Sequence, residues 1–179
     1  MLRIVKLGTF CVALAFALVF VPLLGARQPN DPAIAPVPAQ IIAGKKVFIS
    51  NAGYDSIALA AFKKEGEPNK PYNQFYAAMK SWRRYELVDS PSDADSVFEI
   101  RFNTNFAGSE SNPSYNPQLD LAILDVKTHF RLWSITAPVQ GAIRKATWEK
   151  NFSQGIANLM DDLEKLTTQP AVAADSSSK

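Results

Sequence analysis

The chain predicts an α+β fold, a two-layer sandwich with two main helices packed on one face of a mainly antiparallel sheet of about five strands. Three observations predict it. Residues 97–102 (VFEIRF) set Phe98, Ile100 and Phe102 against Glu99 and Arg101, the alternation of a strand buried on one side and wet on the other. Tyr72, Phe75, Tyr76, Met79 and Trp82 recur at the spacing of one helix face. Trp148, Phe152, Ile156, Leu159, Met160, Leu163 and Leu166 repeat that pattern over about five turns, with Glu, Lys, Gln and Asp between them. A helix or sheet with a single apolar face has to bury it against another element, and these stripes are matched to do so.

The 179 residues are 47% hydrophobic and 20% charged, enough for one globular domain. Residues 1–26 read as a signal peptide: Arg3 and Lys6 form a basic start and residues 7–24 carry no charge. Pro22 breaks that run and Gly25-Ala26 supplies small residues, so cleavage after Ala26 is expected. The alternative is a retained inner-membrane anchor, since the run is about the length that spans a bilayer. Cys11 follows Gly8-Thr9-Phe10, which is no lipid-attachment box. It is the single cysteine, so the chain forms no internal disulfide and no cysteine-based zinc site. Beyond residue 26 stand 17 basic and 17 acidic residues, and a neutral domain of this kind gives nucleic acid no electrostatic purchase.

Residues 27–44 read as a Pro/Ala-rich spacer, because four prolines lie between positions 27 and 40. The folded domain is expected over residues 45–168 and a disordered tail over 169–179, where apolar surface is too scarce to offset the entropy of ordering. The first strand is KKVFIS, residues 45–50, with a turn at Asn51-Ala52-Gly53. Asp55 is placed to cap a short helix that Gly66 and Pro68 terminate. A helix then starts at Pro71, where proline is tolerated in the first turn. YELV (85–88) follows as a strand, DSPSDAD (89–95) as a turn, and residues 97–102 as the clearest strand. Residues 104–117 (TNFAGSESNPSYNP) read as a long loop, either functional or mobile. Leu119, Leu121 and Ile123 mark a strand over 118–124, residues 130–135 its return, and the long amphipathic helix closes the domain.

Chemistry has one foothold, ILDVKTHFRLW (123–133), which holds the only histidine. Asp125, His129 and Arg131 are the weak candidates for a pocket there. The competing reading is a hairpin corner, in which Asp125 accepts hydrogen bonds from amides just ahead of it. On that reading Asp125 and His129 flank the turn and can pair at mildly acid pH, at about 0 to 1 kcal/mol for an exposed pair. No catalytic, cofactor-binding or metal residue is assigned. Asp89, Asp93 and Asp95 lack the glycine and distal glutamate of a calcium loop. Phosphate-cradling glycine loops, zinc motifs and nucleophile elbows are missing from the sequence. The aromatic residues of the first helix read as core.

Three stretches carry a resemblance: FYAAMKSWRRYELVDSP (75–91), ADSVFEIRF (94–102), and LAILDVKTHFRLWS with the closing helix ending NLMDDLEKL. Their order resembles small exported α/β domains of the curli-assembly secretion lipoproteins and the amino-terminal domain of the Tol-Pal translocation protein. Exported bacterial proteins of unassigned role are more similar still. The resemblance implies a non-catalytic, cofactor-free domain that recruits or assembles proteins in the periplasm or bacterial cell envelope, with membrane contact only through an uncleaved N-terminal segment. The missing lipid-attachment box departs from the lipoprotein pattern. The alternative is a periplasmic small-ligand carrier or enzyme with a pocket near the 118–135 hairpin.

Overall fold

A computed structural model describes residues 35–58, 67–109, 111–112 and 114–169. The signal-or-anchor segment, residues 27–34 of the spacer and residues 170–179 of the tail lie outside the described residues. The elements follow in the order α1 (Ala39–Ala43), β1 (Lys46–Tyr54), α2 (Lys70–Trp82), β2 (Glu86–Leu87), β3 (Ser96–Phe106), β4 (Tyr115–Asp125), β5 (Arg131–Pro138) and α3 (Lys145–Thr168). The fold is α+β, as its sequence periodicities require. The sheet runs β2-β1-β3-β4-β5 and is mixed. β1 lies parallel to β2 and β3, while the longer ladders, β3 with β4 and β4 with β5, are antiparallel. Parallel neighbours need a crossover, and α2 supplies it between β1 and β2.

Strand alternation decides the layers. Phe98, Ile100 and Phe102 on β3 pair across with Ile123, Leu121 and Leu119 on β4, and these face Trp133, Ile135 and Ala137 on β5. All but the half-buried Trp133 are buried. Phe75 and Met79 of α2 meet them, as do Phe152, Leu159 and Leu163 of α3. Each such side chain stabilises the fold by about 2 kcal/mol relative to exposure. Tyr85 sits edge-on between Trp82 and Phe98, at 5.6 and 5.4 Å between ring centroids, an arrangement the ring quadrupoles favour.

Three expectations change. The spacer does not run to residue 44: Val37 and Ile41 belong to the core, and Tyr85 donates its hydroxyl to the Ile41 carbonyl at 3.0 Å. Apolar residues behind a proline run found a surface to cover, so the folded domain starts before residue 45. The turn at Asn51-Ala52-Gly53 is instead an irregularity inside β1, where the register with β3 shifts between Asn51 and Tyr54. Gly53 takes φ +76 there, a conformation open to glycine without steric cost. Finally, the 104–117 segment is not a loop throughout, since β3 continues to Phe106 and β4 begins at Tyr115.

Candidate functional site

The hairpin corner forms as its residues dictate. Asp125 Oδ1 accepts the Lys127 amide at 2.9 Å and Oδ2 accepts the Thr128 hydroxyl at 3.0 Å. The Lys127 amide holds the Asp125 carboxyl below the ordinary carboxylate range against the opposing desolvation, with the Thr128 hydroxyl in support. His129 donates its amide to the Asp125 carbonyl at 2.9 Å and adopts the left-handed conformation, φ 59. Both Asp125 oxygens are therefore engaged by the turn, and among the described residues the His129 side chain pairs with neither. His129 is exposed. Arg131 lies on the other side of the turn and lines a different hollow from Asp125. The structure therefore keeps Asp125 and His129 at one corner and does not bring Arg131 to them.

That second hollow belongs to the sheet face away from the helices. Glu99, Arg101, Asp120, Ser134 and Thr136 line it with Arg131 around a volume of about 330 Å3. Asp120 is its organising residue: it accepts the Gln118 amide nitrogen at 2.8 Å, the Thr136 hydroxyl at 2.9 Å and the Asn103 side chain. The alternation that buries Phe102 and Leu119 puts these polar neighbours together on the opposite face. Among the described residues no group of His, Cys, Asp and Glu is arranged to hold a metal ion. Asp95, one of the aspartates weighed for calcium, has a different task. Its Oδ2 accepts the amides of Lys45 and Lys46 at 2.8 and 2.9 Å, fixing the start of β1. These two amides are the main reason that its carboxyl stays below the ordinary range.

The feature concealed by loop-like composition is a β-arm. Pairing of β1 with β3 ends at Tyr54 and Phe102, and pairing of β5 with β4 ends at Pro138 and Gln118. β3 and β4 continue together to Phe106 and Tyr115. Backbone bonds from Ala107 to Ser114 at 2.8 Å and between Ser109 and Asn112 at 3.1 and 3.2 Å carry the ribbon further. Beyond the flanking strands, Phe106 and Tyr115 stack edge to face with centroids 5.7 Å apart, and they remain 55% and 46% exposed. At the root, Asp55 Oδ2 accepts both the amide and the hydroxyl of Thr104, the latter at 2.6 Å, while Oδ1 caps the turn at Ala58 at 2.8 Å. Burial opposes charging Asp55, but the bonds from Ala58 and Thr104 prevail and its carboxyl is lowered. The capping role was legible in the sequence; the link to Thr104 was not, because it joins residues 49 positions apart.

A second feature had no sequence signal. Lys70 is 3% exposed, and its ammonium bonds both oxygens of Glu149 and lies 3.0 Å from Glu67. This joins the start of α2 to the first turns of α3, above the Phe152 ring at 5.6 Å.

No family model and no curated protein sequence matches the chain. Among solved structures it is similar to a dodecameric PelC variant from Paraburkholderia phytofirmans, at 16% identity over 66% of this chain and 86% of that one, TM-score 0.44. It is also similar to XCC0632 from Xanthomonas campestris, at 12% identity over 75% and 88%, TM-score 0.43. A third neighbour is the lipoprotein GNA1162 from Neisseria meningitidis, at 10% identity over 65% and 99%, TM-score 0.35. Neither the curli-assembly nor the Tol-Pal family is among these three. No described helix is long and apolar enough to cross a membrane.

Proposed function

We propose that the chain is an exported, non-catalytic interaction domain of the bacterial cell envelope, and that it contacts its protein partner through the β3–β4 arm. The carrying observation is the exposed Phe106–Tyr115 pair beyond the edges of β1 and β5. Large aromatics in water are poor surface residues and good interface anchors, because they bury much area while few rotatable bonds are frozen. Past the Thr104 amide held by Asp55 and the Pro117 carbonyl held by the Val139 amide, the outer edges of the arm have no neighbouring strand among the described residues and can take an added one. Export rests on the N-terminal sequence pattern.

A photoreactive residue placed at position 106 in the native cell is the direct test. The expected result is an adduct with one envelope protein, weakened by Tyr115→Ser and missing when the probe sits at exposed position 162 on α3. Equal labelling from positions 106 and 162 would sink the reading. Fractionation and mass of the recovered protein test export: a chain starting at Arg27 indicates cleavage, one starting at Met1 in the membrane fraction indicates an anchor, and recovery in the cytoplasm rejects export.

The polar hollow around Asp120 supports the second reading, a small-ligand carrier or enzyme near the 118–135 hairpin. That reading predicts a loss of activity or ligand-induced thermal shift in Arg131→Ala or His129→Ala protein. Unchanged behaviour of both variants would remove it.

A further inference from the structure

The domain's balanced charge is unevenly placed. Where α2 ends and β2 begins, the surface is hollowed into a cleft of about 790 Å3 lined by Lys45, Lys80, Arg83 and Arg84 with Tyr76 and Tyr85. Glu86 and Asp89 also line it, and Glu86 lies 4.0 Å from Lys46 outside it. Four cations therefore face two carboxylates there, in a chain that carries equal numbers of both beyond residue 26.

We propose that this cleft binds a phosphate ester, either the head group of an anionic phospholipid or a soluble phosphate compound. Arg84 is held ready for it. One guanidinium nitrogen donates to the Ile42 carbonyl at 2.6 Å, another approaches the Gly44 carbonyl at 3.4 Å, and the group lies over the Tyr85 ring at 4.8 Å. A guanidinium fixed in direction presents its remaining N–H groups as a planar fork, which matches two phosphate oxygens. Lys45, Lys80 and Arg83 are exposed and form no ion pair among the described residues, so their charges reinforce one another in one hollow. The Tyr76 hydroxyl, half-buried in the same wall, has no hydrogen-bond partner among them.

Complementing the negative end of the α2 dipole accounts for Lys80 and Arg83. It does not account for Lys45, at the start of β1, and Arg84, although anchored on the carbonyls that end α1, lines the same space. Glu86 and Asp89 offset only part of the mutual repulsion of four cations, and a bound anion reduces the remainder, whereas a neutral ligand does not.

The test titrates the full chain, held in neutral detergent, with three probes: inorganic phosphate, soluble dihexanoyl phosphatidylglycerol and dihexanoyl phosphatidylcholine. Binding is read by calorimetry and by amide shifts at residues 80–85. Phosphatidylglycerol binding well above phosphate identifies the head group; comparable binding of both identifies free phosphate chemistry. In either case Lys80→Gln/Arg83→Gln protein, whose lost side chains form no hydrogen bond or ion pair among the described residues, is expected to bind at least tenfold more weakly while still unfolding cooperatively, with only the small fall in melting temperature that losing their contribution to the helix dipole brings. Added salt should weaken the wild type in step. No binding of either anion, equal binding of phosphatidylcholine, or full affinity in the double variant would overturn the proposal.

Discussion

His129 occupies a conformation that suits a different residue. At φ 59, an L side chain crowds its own carbonyl at a cost of roughly 1 to 2 kcal/mol, which glycine avoids. Glycine's looser unfolded chain returns part of that gain. His129→Gly should therefore raise stability by about 0.5 kcal/mol, seen as a higher urea midpoint at unchanged slope; a lower midpoint would show that the imidazole contributes something the turn alone does not explain. Asp55 supplies the acid-sensitive counterpart. Its folded carboxyl titrates below the ordinary 3.8, so its contribution is complete above the unfolded value and disappears as pH falls through the folded one. Asp55→Ala should cost about 1 kcal/mol at neutral pH, the usual loss of a helix cap, with solvent screening keeping the figure modest. That difference from wild type should shrink below about pH 4. Denaturant titrations of both proteins at neutral and acid pH check this; a gap that persists at low pH would show that charge is not its source. Asp125 was readable as a turn residue because its bonds are to neighbours two and three positions away. Asp55's second bond, to Thr104, joins elements that only the fold brings together.

Between elements, the close approach of α3 to the sheet depends on Gly155. A Cβ there would lie 2.7 Å from Val139 Cγ2 and 3.4 Å from Leu119 Cδ1. Helix propensity alone favours alanine by about 1 kcal/mol. The clash with a buried, χ1-stiff valine costs roughly 1 to 3. Gly155→Ala is therefore expected to destabilise by about 1 kcal/mol. Adding Val139→Ala should relieve part of the penalty, so that the double variant loses less than the sum of the single ones. Strict additivity in a double-mutant cycle would remove the steric account. The amphipathic helices and alternating strands were legible because a buried face repeats its period in sequence. The arm was not: Asn, Ser, Gly and Pro between Thr104 and Pro117 resemble a loop, and the ladder that orders them joins two distant runs. The Lys70–Glu149 contact was hidden for the same reason, since a lysine next to a proline at a helix start reads as solvated until α3 is packed beside it.

At the scale of the whole molecule, the boundary of the domain follows from what its core encloses. Proline-rich composition placed that boundary at residue 45, yet the core closes over Val37 and Ile41, at 7% and 1% exposure. α1 further supplies the carbonyls that Tyr85 and Arg84 use. A chain beginning at residue 45 would uncover part of the core and leave the buried Tyr85 hydroxyl unpaired. Two lost aliphatic side chains at about 2 kcal/mol each, with about 1 to 3 kcal/mol for the orphaned hydroxyl, give roughly 5 to 7 kcal/mol. That is comparable with the whole stability of an ordinary domain. A chain beginning at residue 35 should consequently melt as the full chain does, while one beginning at residue 45 should be unfolded or melt many degrees lower. Ile41→Ala in the longer chain should fall between them, at about 2 to 4 kcal/mol. Calorimetry of the three proteins decides it: if the chain from residue 45 retains the full melting temperature, α1 merely rests on the domain and the sequence-based boundary was right.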